Sequence, residues 1–218
     1  MDFLAVKMRL FLMGILSLFL FGCGKVVEQS WEEVLHKNTT IPSFLVLENE
    51  NQVPVGRAVP VGNDLFISPD HLFQKSEKLF WKGEKIEVLV RDFENDILVF
   101  RIDNFFYDLG NFSFSPPAVG QTVYLFDGQK KKETKVLGVG EEFKVENWTK
   151  KNLISISGTV EYGDSGSILF DEEGMIYGMI IGADKRKNRS YAIRSDVLMQ
   201  FLKDNVEGDV QKKYSFDF

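Results

Sequence analysis

The stretch Gly163-Asp164-Ser165-Gly166-Ser167 decides how the rest of this sequence is interpreted. A nucleophilic serine needs a tight turn, because its Oγ must project while nearby backbone N–H groups converge on one point. Glycines on both sides of Ser165 permit such a turn. The N–H groups of Gly163 and Ser165 are then candidates for an oxyanion hole. Gly, Asp and Ser are also ordinary turn residues, so the stretch needs chemical partners elsewhere in the chain.

A serine hydroxyl becomes a nucleophile only when a base takes its proton. The chain offers two imidazoles, His36 and His71. His36 lies in a predicted N-terminal helix and is interpreted as a surface residue. His71 follows the apolar segment 65–68 and begins a predicted helical turn, so His71 is the candidate base.

The base must be oriented by a carboxylate that is buried beside it. Asp96 leads the apolar run 97–100, where a charge is costly unless it has a partner. Asp92 is the competing candidate, but it lies in the more polar segment 91–94. Asp96 is therefore preferred.

Most of the chain has the texture of short strands, with β-branched and aromatic residues between polar or Gly/Pro turns. A first set of predicted strands comprises 44–47, 53–59, 65–68, 86–90 and 97–102. A second set, after Ser115-Pro116-Pro117, comprises 119–126, 134–139, 153–157, 167–170, 175–181 and 191–193. A helix is predicted from about Ser195. The pattern predicts an antiparallel all-β protein, either a sandwich or a barrel.

His71, Asp96 and Ser165, in that order on a two-part β protein with a terminal helix, resemble the chymotrypsin/trypsin family, and most closely its bacterial branch without disulfides. The stretches that carry the resemblance are 66–71, 95–99, 163–167, 178–183 and 190–193. The resemblance extends over residues 43–206. It implies two antiparallel β-barrels, at about 43–116 and 117–194, closed by a helix at 195–206.

The resemblance also implies the roles of a serine endopeptidase. Ser165 attacks the peptide carbonyl, His71 transfers the proton, Asp96 fixes the imidazole tautomer, and the N–H groups of Gly163 and Ser165 hold the oxyanion. A protein or peptide substrate is expected to bind as an added strand. The implied substrate-binding residues are Thr159, Ile181, Gly182, Ala183, Ser190 and Ala192. None of these is charged, so a strict preference for Arg or Lys is not expected.

Three residues depart from the family pattern. Pro69 and Asp70 stand where small residues usually precede the histidine, and Asp70 is expected to perturb the position or pKa of His71. Ser167 stands where glycine is commonest. These departures leave a second interpretation open, an inactive peptidase-like lipoprotein that binds peptides or a protein partner. A third is a structural envelope lipoprotein in which the GDSG sequence is coincidental.

The N-terminal residues have the composition of a secretory signal. Lys7 and Arg9 precede an apolar run at 10–21, followed by Gly22 and Cys23. Residues 20–23 resemble the lipobox of bacterial lipoproteins, so 1–22 is predicted to be a signal peptide and Cys23 the site of lipidation. An ordinary signal with an incidental cysteine is the alternative. Residues 23–42 are predicted to be a tether with one short helix, and 207–218 a flexible tail. The expected location is the bacterial cell envelope, with a membrane anchor at Cys23.

Charge and composition exclude several other classes of function. The net charge is −6 and no basic stripe offsets it, which disfavours nucleic-acid binding. Two histidines, one cysteine and scattered carboxylates lack the spacing of metal ligands, so neither a metal nor another cofactor is expected. Cys23 is the only cysteine, which rules out a disulfide within the chain. The sequence leaves the oligomeric state open.

Overall fold

A computed structural model describes residues 44–206 except 63, 77, 104–109, 127–129 and 146–147. In this part of the chain fourteen strands and two short helices follow one another. In chain order they are β1 (Leu45–Glu48), β2 (Pro54–Pro60), β3 (Leu65–Ser68), α1 (Asp70–Ser76), β4 (Phe80–Trp81), β5 (Glu84–Lys85), β6 (Glu87–Asp92), β7 (Ile97–Arg101), β8 (Asn111–Phe112), β9 (Thr122–Phe126), β10 (Lys131–Val145), β11 (Trp148–Ser157), β12 (Ile168–Phe170), β13 (Met175–Asp184), β14 (Arg189–Arg194) and α2 (Ser195–Asn205).

The first sheet is antiparallel and has the order β5-β4-β1-β2-β3-β7-β6. Its buried core is aliphatic and aromatic, with the rings of Phe66 and Phe100 stacked 5.6 Å apart between β3 and β7. Leu72 of α1 joins this core, which fixes the helix against the sheet. The first turn of α1 carries His71, so the packing of the first sheet determines where that imidazole lies.

The second sheet has the order β12-β9-β10-β11-β14-β13-β8 and closes on itself, because β12 pairs with both β9 and β13. Its core contains Ile154, Ile156, Leu169, Ile180 and Ala192. The loop that carries Ser165 leads directly into β12, so closure of the ring holds this loop at the edge of the barrel. Burial of Leu198, Met199 and Leu202 fixes α2 to the protein.

The expectation of an all-β protein with two antiparallel barrel-like sheets and a C-terminal helix is confirmed, and the barrel alternative is favoured over the sandwich by the closed second ring. Two differences bear on the site. The β10–β11 hairpin is much longer than the predicted strands 134–139 and 153–157. The strand β8 precedes Pro116 in the chain but pairs in parallel with β13 of the second sheet. Neither described helix is long and apolar enough to cross a lipid bilayer. The predicted signal peptide, Cys23, the N-terminal helix and the tail 207–218 lie outside the described residues.

Candidate active site

Ser165 lies in a tight turn that two glycines make possible. Gly163 and Gly166 have φ angles of +91° and +89°, in the region that L side chains rarely adopt. A Cβ at position 166 would overlap the backbone carbonyl oxygen of Arg57. Gly166 is therefore required twice, for its backbone angle and for the close approach of β2.

Alternate backbone N–H groups of this turn donate hydrogen bonds within the protein. The N–H of Asp164 donates to the carbonyl of Glu161 (3.1 Å), and that of Gly166 donates to the carbonyl of Ile180 (2.8 Å). The N–H groups of Gly163 and Ser165 donate to no acceptor among the residues that the structure describes. Two donors beside the serine hydroxyl are thus available for a negatively charged oxygen.

The imidazole of His71 lies between a carboxylate and the serine hydroxyl. Its Nδ1 is 2.8 Å from Oδ2 of Asp96, and its Nε2 is 3.2 Å from Oγ of Ser165. The backbone N–H of His71 also donates to Oδ1 of Asp96 (2.8 Å). The carboxylate therefore holds both the ring and the main chain of the residue that it orients.

Asp96 and Asp92 have different surroundings, although both flank the β6–β7 turn. Asp96 is fully buried and has a φ of +61°, a left-handed conformation that Asp tolerates better than most residues. Asp92 accepts hydrogen bonds from the N–H groups of Glu94 and Asn95 (both 2.9 Å), which stabilises the turn. The structure thus brings Asp96, and not Asp92, to His71, while His36 lies outside the described residues.

Asp70, which the sequence predicts to perturb His71, has hydrogen-bond partners of its own. Its fully buried carboxylate accepts hydrogen bonds from Nε of Arg91 (2.5 Å) and Nε2 of Gln74 (2.6 Å). The hydroxyl of Ser167 accepts a hydrogen bond from Nη1 of Arg57 (2.8 Å). Two of the three departures from the family pattern therefore have local partners of their own.

The β10–β11 hairpin of the second sheet reaches the triad, a contribution that sequence reasoning missed. The ring of Trp148 meets the ring of His71 edge-on, with centroids 6.0 Å apart. Nζ of Lys150, a nearly buried residue, donates to the carbonyl oxygens of Phe93 (2.5 Å) and Glu94 (2.6 Å). The hairpin thereby covers the imidazole and fastens the turn that ends at Asp96. In the sequence, Trp148 and Lys150 stand isolated in a polar segment typical of an exposed strand, and nothing else indicates this contact.

The implied substrate-binding residues lie in two settings. Ile181, Gly182 and Ala183 follow Ile180, whose N–H and carbonyl bond to the loop around Ser165. This segment therefore continues the edge of β13 away from the serine. Ser190 is fully buried, and its hydroxyl accepts a hydrogen bond from the N–H of Val160 (2.9 Å) and donates to the carbonyl of Gly158 (2.8 Å).

The remaining two implied residues differ in accessibility. Thr159 is half-buried, and its carbonyl oxygen lies 3.4 Å from Nζ of Lys132. Ala192 is part of the second core.

A small cavity of about 40 Å³ adjoins the triad, and its lining consists of Val55, His71, Leu72, Lys75, Tyr162, Gly163 and Ser165. Within the described ranges no three His, Cys, Asp or Glu residues gather as a metal site would require.

A family model described as trypsin-like peptidase domain matches residues 46–179, more than half of the 218 residues. No curated protein sequence matches the chain.

Several solved proteases are similar in structure. The active form of the Rv3671c protease from M. tuberculosis has a TM-score of 0.60 and 16% identity, covering 76% of this chain and 82% of that one. The MamO protease domain from Magnetospirillum magneticum has a TM-score of 0.63 and 16% identity, covering 76% and 98%. The HtrA-type protease AlgW with tripeptide has a TM-score of 0.62 and 15% identity, covering 76% and 60%. At such identities the likeness is one of fold alone.

Proposed function

This chain belongs to the trypsin-like peptidase family, and on that premise we propose that it is a serine endopeptidase of the bacterial cell envelope. The observation that carries the proposal is the alignment of Asp96, His71 and Ser165, with 2.8 Å and 3.2 Å between successive side chains. These distances are those at which a base can take a proton from a hydroxyl and a carboxylate can orient that base.

The proposed reaction proceeds through an acyl-enzyme. Oγ of Ser165 attacks the peptide carbonyl carbon while Nε2 of His71 accepts the hydroxyl proton. The carbonyl oxygen becomes an anion, and the N–H groups of Gly163 and Ser165 stabilise it. His71 then returns the proton to the leaving amine. Water, activated by the same imidazole, hydrolyses the ester and regenerates Ser165. Asp96 keeps Nδ1 protonated throughout, so that Nε2 faces the serine.

The substrate is proposed to bind in an extended conformation along Ile181–Ala183. Backbone hydrogen bonds to this edge would hold the peptide without regard to its sequence. The side chain before the scissile bond would enter the region of Thr159, Ser190 and Ala192. No ionised group is among these three residues, so an uncharged side chain is expected there.

Membrane attachment is a separate part of the proposal and depends on residues 1–23 alone. Cleavage before Cys23 and acylation of that residue would hold the peptidase domain at a membrane surface. Expression of the full chain in a bacterium fed an alkyne fatty acid tests this. Label on the wild type and none on Cys23→Ser supports lipidation, whereas equal label on both would contradict it.

The catalytic proposal is tested by an activity probe on residues 24–218. A fluorophosphonate phosphonylates only a serine whose hydroxyl is activated, and fluoride leaves as the P–O bond forms. Labelling of the wild type that is abolished by Ser165→Ala, and by His71→Ala, is the expected result. Gel filtration and circular dichroism establish that each variant is folded.

The second function that the sequence left open, an inactive module that binds peptides, predicts a different outcome. A folded wild type that is not labelled, but that binds extended peptides in a calorimeter, would favour it.

A further inference from the structure

A buried arginine outside the triad, Arg57, forms hydrogen bonds with the loop that carries the serine. We propose that Arg57 is a positioning residue that holds this loop, residues 161–167, in the conformation that forms the oxyanion hole. The inference rests on the proposed function and adds to it a residue that neither the triad nor the family comparison assigns.

One nitrogen of Arg57 contacts three groups of the loop. Nη1 donates to the carbonyl oxygen of Gly163 (3.0 Å), to Oδ1 of Asp164 (2.7 Å) and to Oγ of Ser167 (2.8 Å). The backbone N–H of Arg57 donates to the carbonyl of Ser165 (2.7 Å). Side chain and main chain of one residue thus hold four groups of the loop, on Gly163, Asp164, Ser165 and Ser167.

The side chain of Arg57 is only 10% exposed and that of Asp164 18%, so their ion pair is largely shielded from water. Among the described residues no other cation lies within ion-pair distance of this carboxylate. Removing the guanidinium would leave Asp164 charged, shielded and without its counter-ion, which favours any movement that carries the carboxylate to solvent. Such a movement rotates the backbone of the adjacent Gly163, which has no Cβ and can therefore leave its present φ of +91° for many other conformations.

Arg57 also connects the loop to the base. Its carbonyl oxygen accepts a hydrogen bond from the hydroxyl of Ser68 (2.9 Å), and Gly166 packs directly against this same carbonyl group. Ser68 ends β3, three residues before His71. The strand that leads to the imidazole and the turn that presents Ser165 therefore meet on one residue.

The test compares Arg57→Met and Arg57→Lys with the wild type in kcat, KM and the rate of fluorophosphonate labelling. Arg57→Met is expected to lower kcat about 100-fold, as loss of one oxyanion-hole donor does, with KM changed by less than about three-fold. Arg57→Lys keeps a point charge for Asp164 but lacks the planar fork, so it should recover part of kcat. A purely structural role would lower the midpoint of thermal unfolding and leave kcat per folded molecule unchanged.

Asp164→Asn is a second variant that removes the charge without removing the arginine, and it is needed if Arg57→Met does not fold. It should lower kcat about ten-fold with little change in KM. A folded Arg57→Met or Asp164→Asn with wild-type kcat would overturn the positioning role while leaving the peptidase proposal intact. A folded wild type that the probe does not label would overturn both.

A second, independent observation concerns the far end of the substrate edge. We infer that a cationic cleft there selects peptides with acidic residues upstream of the scissile bond, again on the basis of the proposed function. The cleft has a volume of about 460 Å³, and its lining consists of Phe143, Lys144, Ala183, Asp184, Lys185, Arg186 and Lys187.

The charges of this cleft are unbalanced although the whole chain is acidic. Lys187 is 3.6 Å from Asp184, and Lys185 is 3.2 Å from Glu161 at the surface. Lys144 and Arg186 have no carboxylate within 4 Å among the described residues. Partial desolvation acts to raise the pKa of Asp184, but hydrogen bonds from the N–H groups of Lys187 and Arg186 outweigh it and keep that pKa below its usual value. The carboxylate of Asp184 therefore accepts hydrogen bonds from the backbone of its own turn.

The position of the cleft determines which part of a substrate it meets. A peptide paired along Ile181–Ala183 would place its third residue before the scissile bond near Ala183. The fourth and fifth residues would then pass Lys144 and Arg186. Exposed pairs contribute little each and are screened by salt, so a preference of about five-fold is expected at low ionic strength.

The probes are two peptides, Asp-Asp-Ala-Ala-Leu-aminocoumarin and its Asn-Asn counterpart. Both are assayed for cleavage and as competitors of fluorophosphonate labelling, so that binding is measured even without turnover. The acidic peptide should be favoured about five-fold, and both 0.5 M salt and the Lys144→Gln/Arg186→Gln double variant should remove the preference. Lys85→Gln, an exposed change in the first sheet, is the matched control. Equal use of both peptides, or competition by neither, would overturn the inference.

Discussion

Asp70, the residue before the candidate base, forms a two-point ion pair with Arg91. The Nε–Oδ1 and Nη2–Oδ2 distances are 2.5 Å and 3.2 Å, and the carboxylate is fully buried. The guanidinium carbon lies 4.4 Å from the ring centre of Phe73 and 4.3 Å from that of Phe93. The pair therefore joins α1, which carries His71, to β6, which leads into the turn ending at Asp96.

Loss of this pair is expected to destabilise the first sheet. Arg91→Met should lower the free energy of unfolding by about 3 kcal/mol, because it leaves the buried charge of Asp70 without its partner. Urea denaturation followed by tryptophan fluorescence measures the change. Lys185→Met, which breaks an exposed ion pair with Glu161, is the control and should change stability by less than about 1 kcal/mol. Similar losses in the two variants would contradict this account of Asp70.

The turn around Ser165 predicts a contrast between two glycines. Gly158 and Gly166 both have positive φ, +82° and +89°, but only at 166 would a Cβ overlap a neighbour, the carbonyl of Arg57. Gly158→Ala should cost only the backbone strain, about 1–2 kcal/mol. Gly166→Ala should also separate β2 from the turn and abolish labelling of Ser165 in any folded protein. Gly166→Ala protein that is labelled at the wild-type rate would show that the close approach is not needed.

The two aspartates of the β6–β7 turn provide a test of the triad. Asp96→Asn keeps a side chain that tolerates positive φ but favours the wrong tautomer of His71, so kcat should fall by about 10³–10⁴-fold. Asp92→Asn removes a carboxylate that only stabilises the turn, and kcat should change by less than about three-fold. Steady-state kinetics on a cleaved peptide measure both. The opposite ranking would assign the orienting role to Asp92.

Local sequence signals were sufficient to predict the candidate residues Ser165 and Asp96, but not the residues that hold them in place, Arg57 and Lys150. Ser165 stands near two glycines, and Asp96 is a charged residue at the start of an apolar strand. Each can therefore be identified from the residues within about five positions of it in the sequence. Arg57 gives no such signal, because the loop groups to which its guanidinium donates are more than a hundred residues away in the chain. Lys150 is similar, since its acceptors are carbonyl oxygens, which any residue provides. The position of the turn between β10 and β11 also could not be predicted from the sequence. Both strands continue beyond the core as exposed polar residues, which lack the apolar pattern of a buried strand.

Lys150 connects the second sheet to the triad. Its ammonium donates to the carbonyls of Phe93 and Glu94 and lies 5.0 Å from the ring centre of Trp148. Lys150→Met keeps the apolar stem but removes both hydrogen bonds, which should lower the free energy of unfolding by about 1–3 kcal/mol.

Because the same turn ends at Asp96, the orientation of His71 should also loosen in Lys150→Met, and kcat should fall more than KM changes. Lys151→Met, an exposed change on the same strand, is the control for altered charge. Measurement of both kinetic constants and of urea denaturation for the two variants separates the effects. Lower stability with unchanged kcat would mean that the hairpin supports the fold alone, whereas loss of both would make the β10–β11 hairpin a part of the machinery that holds the triad.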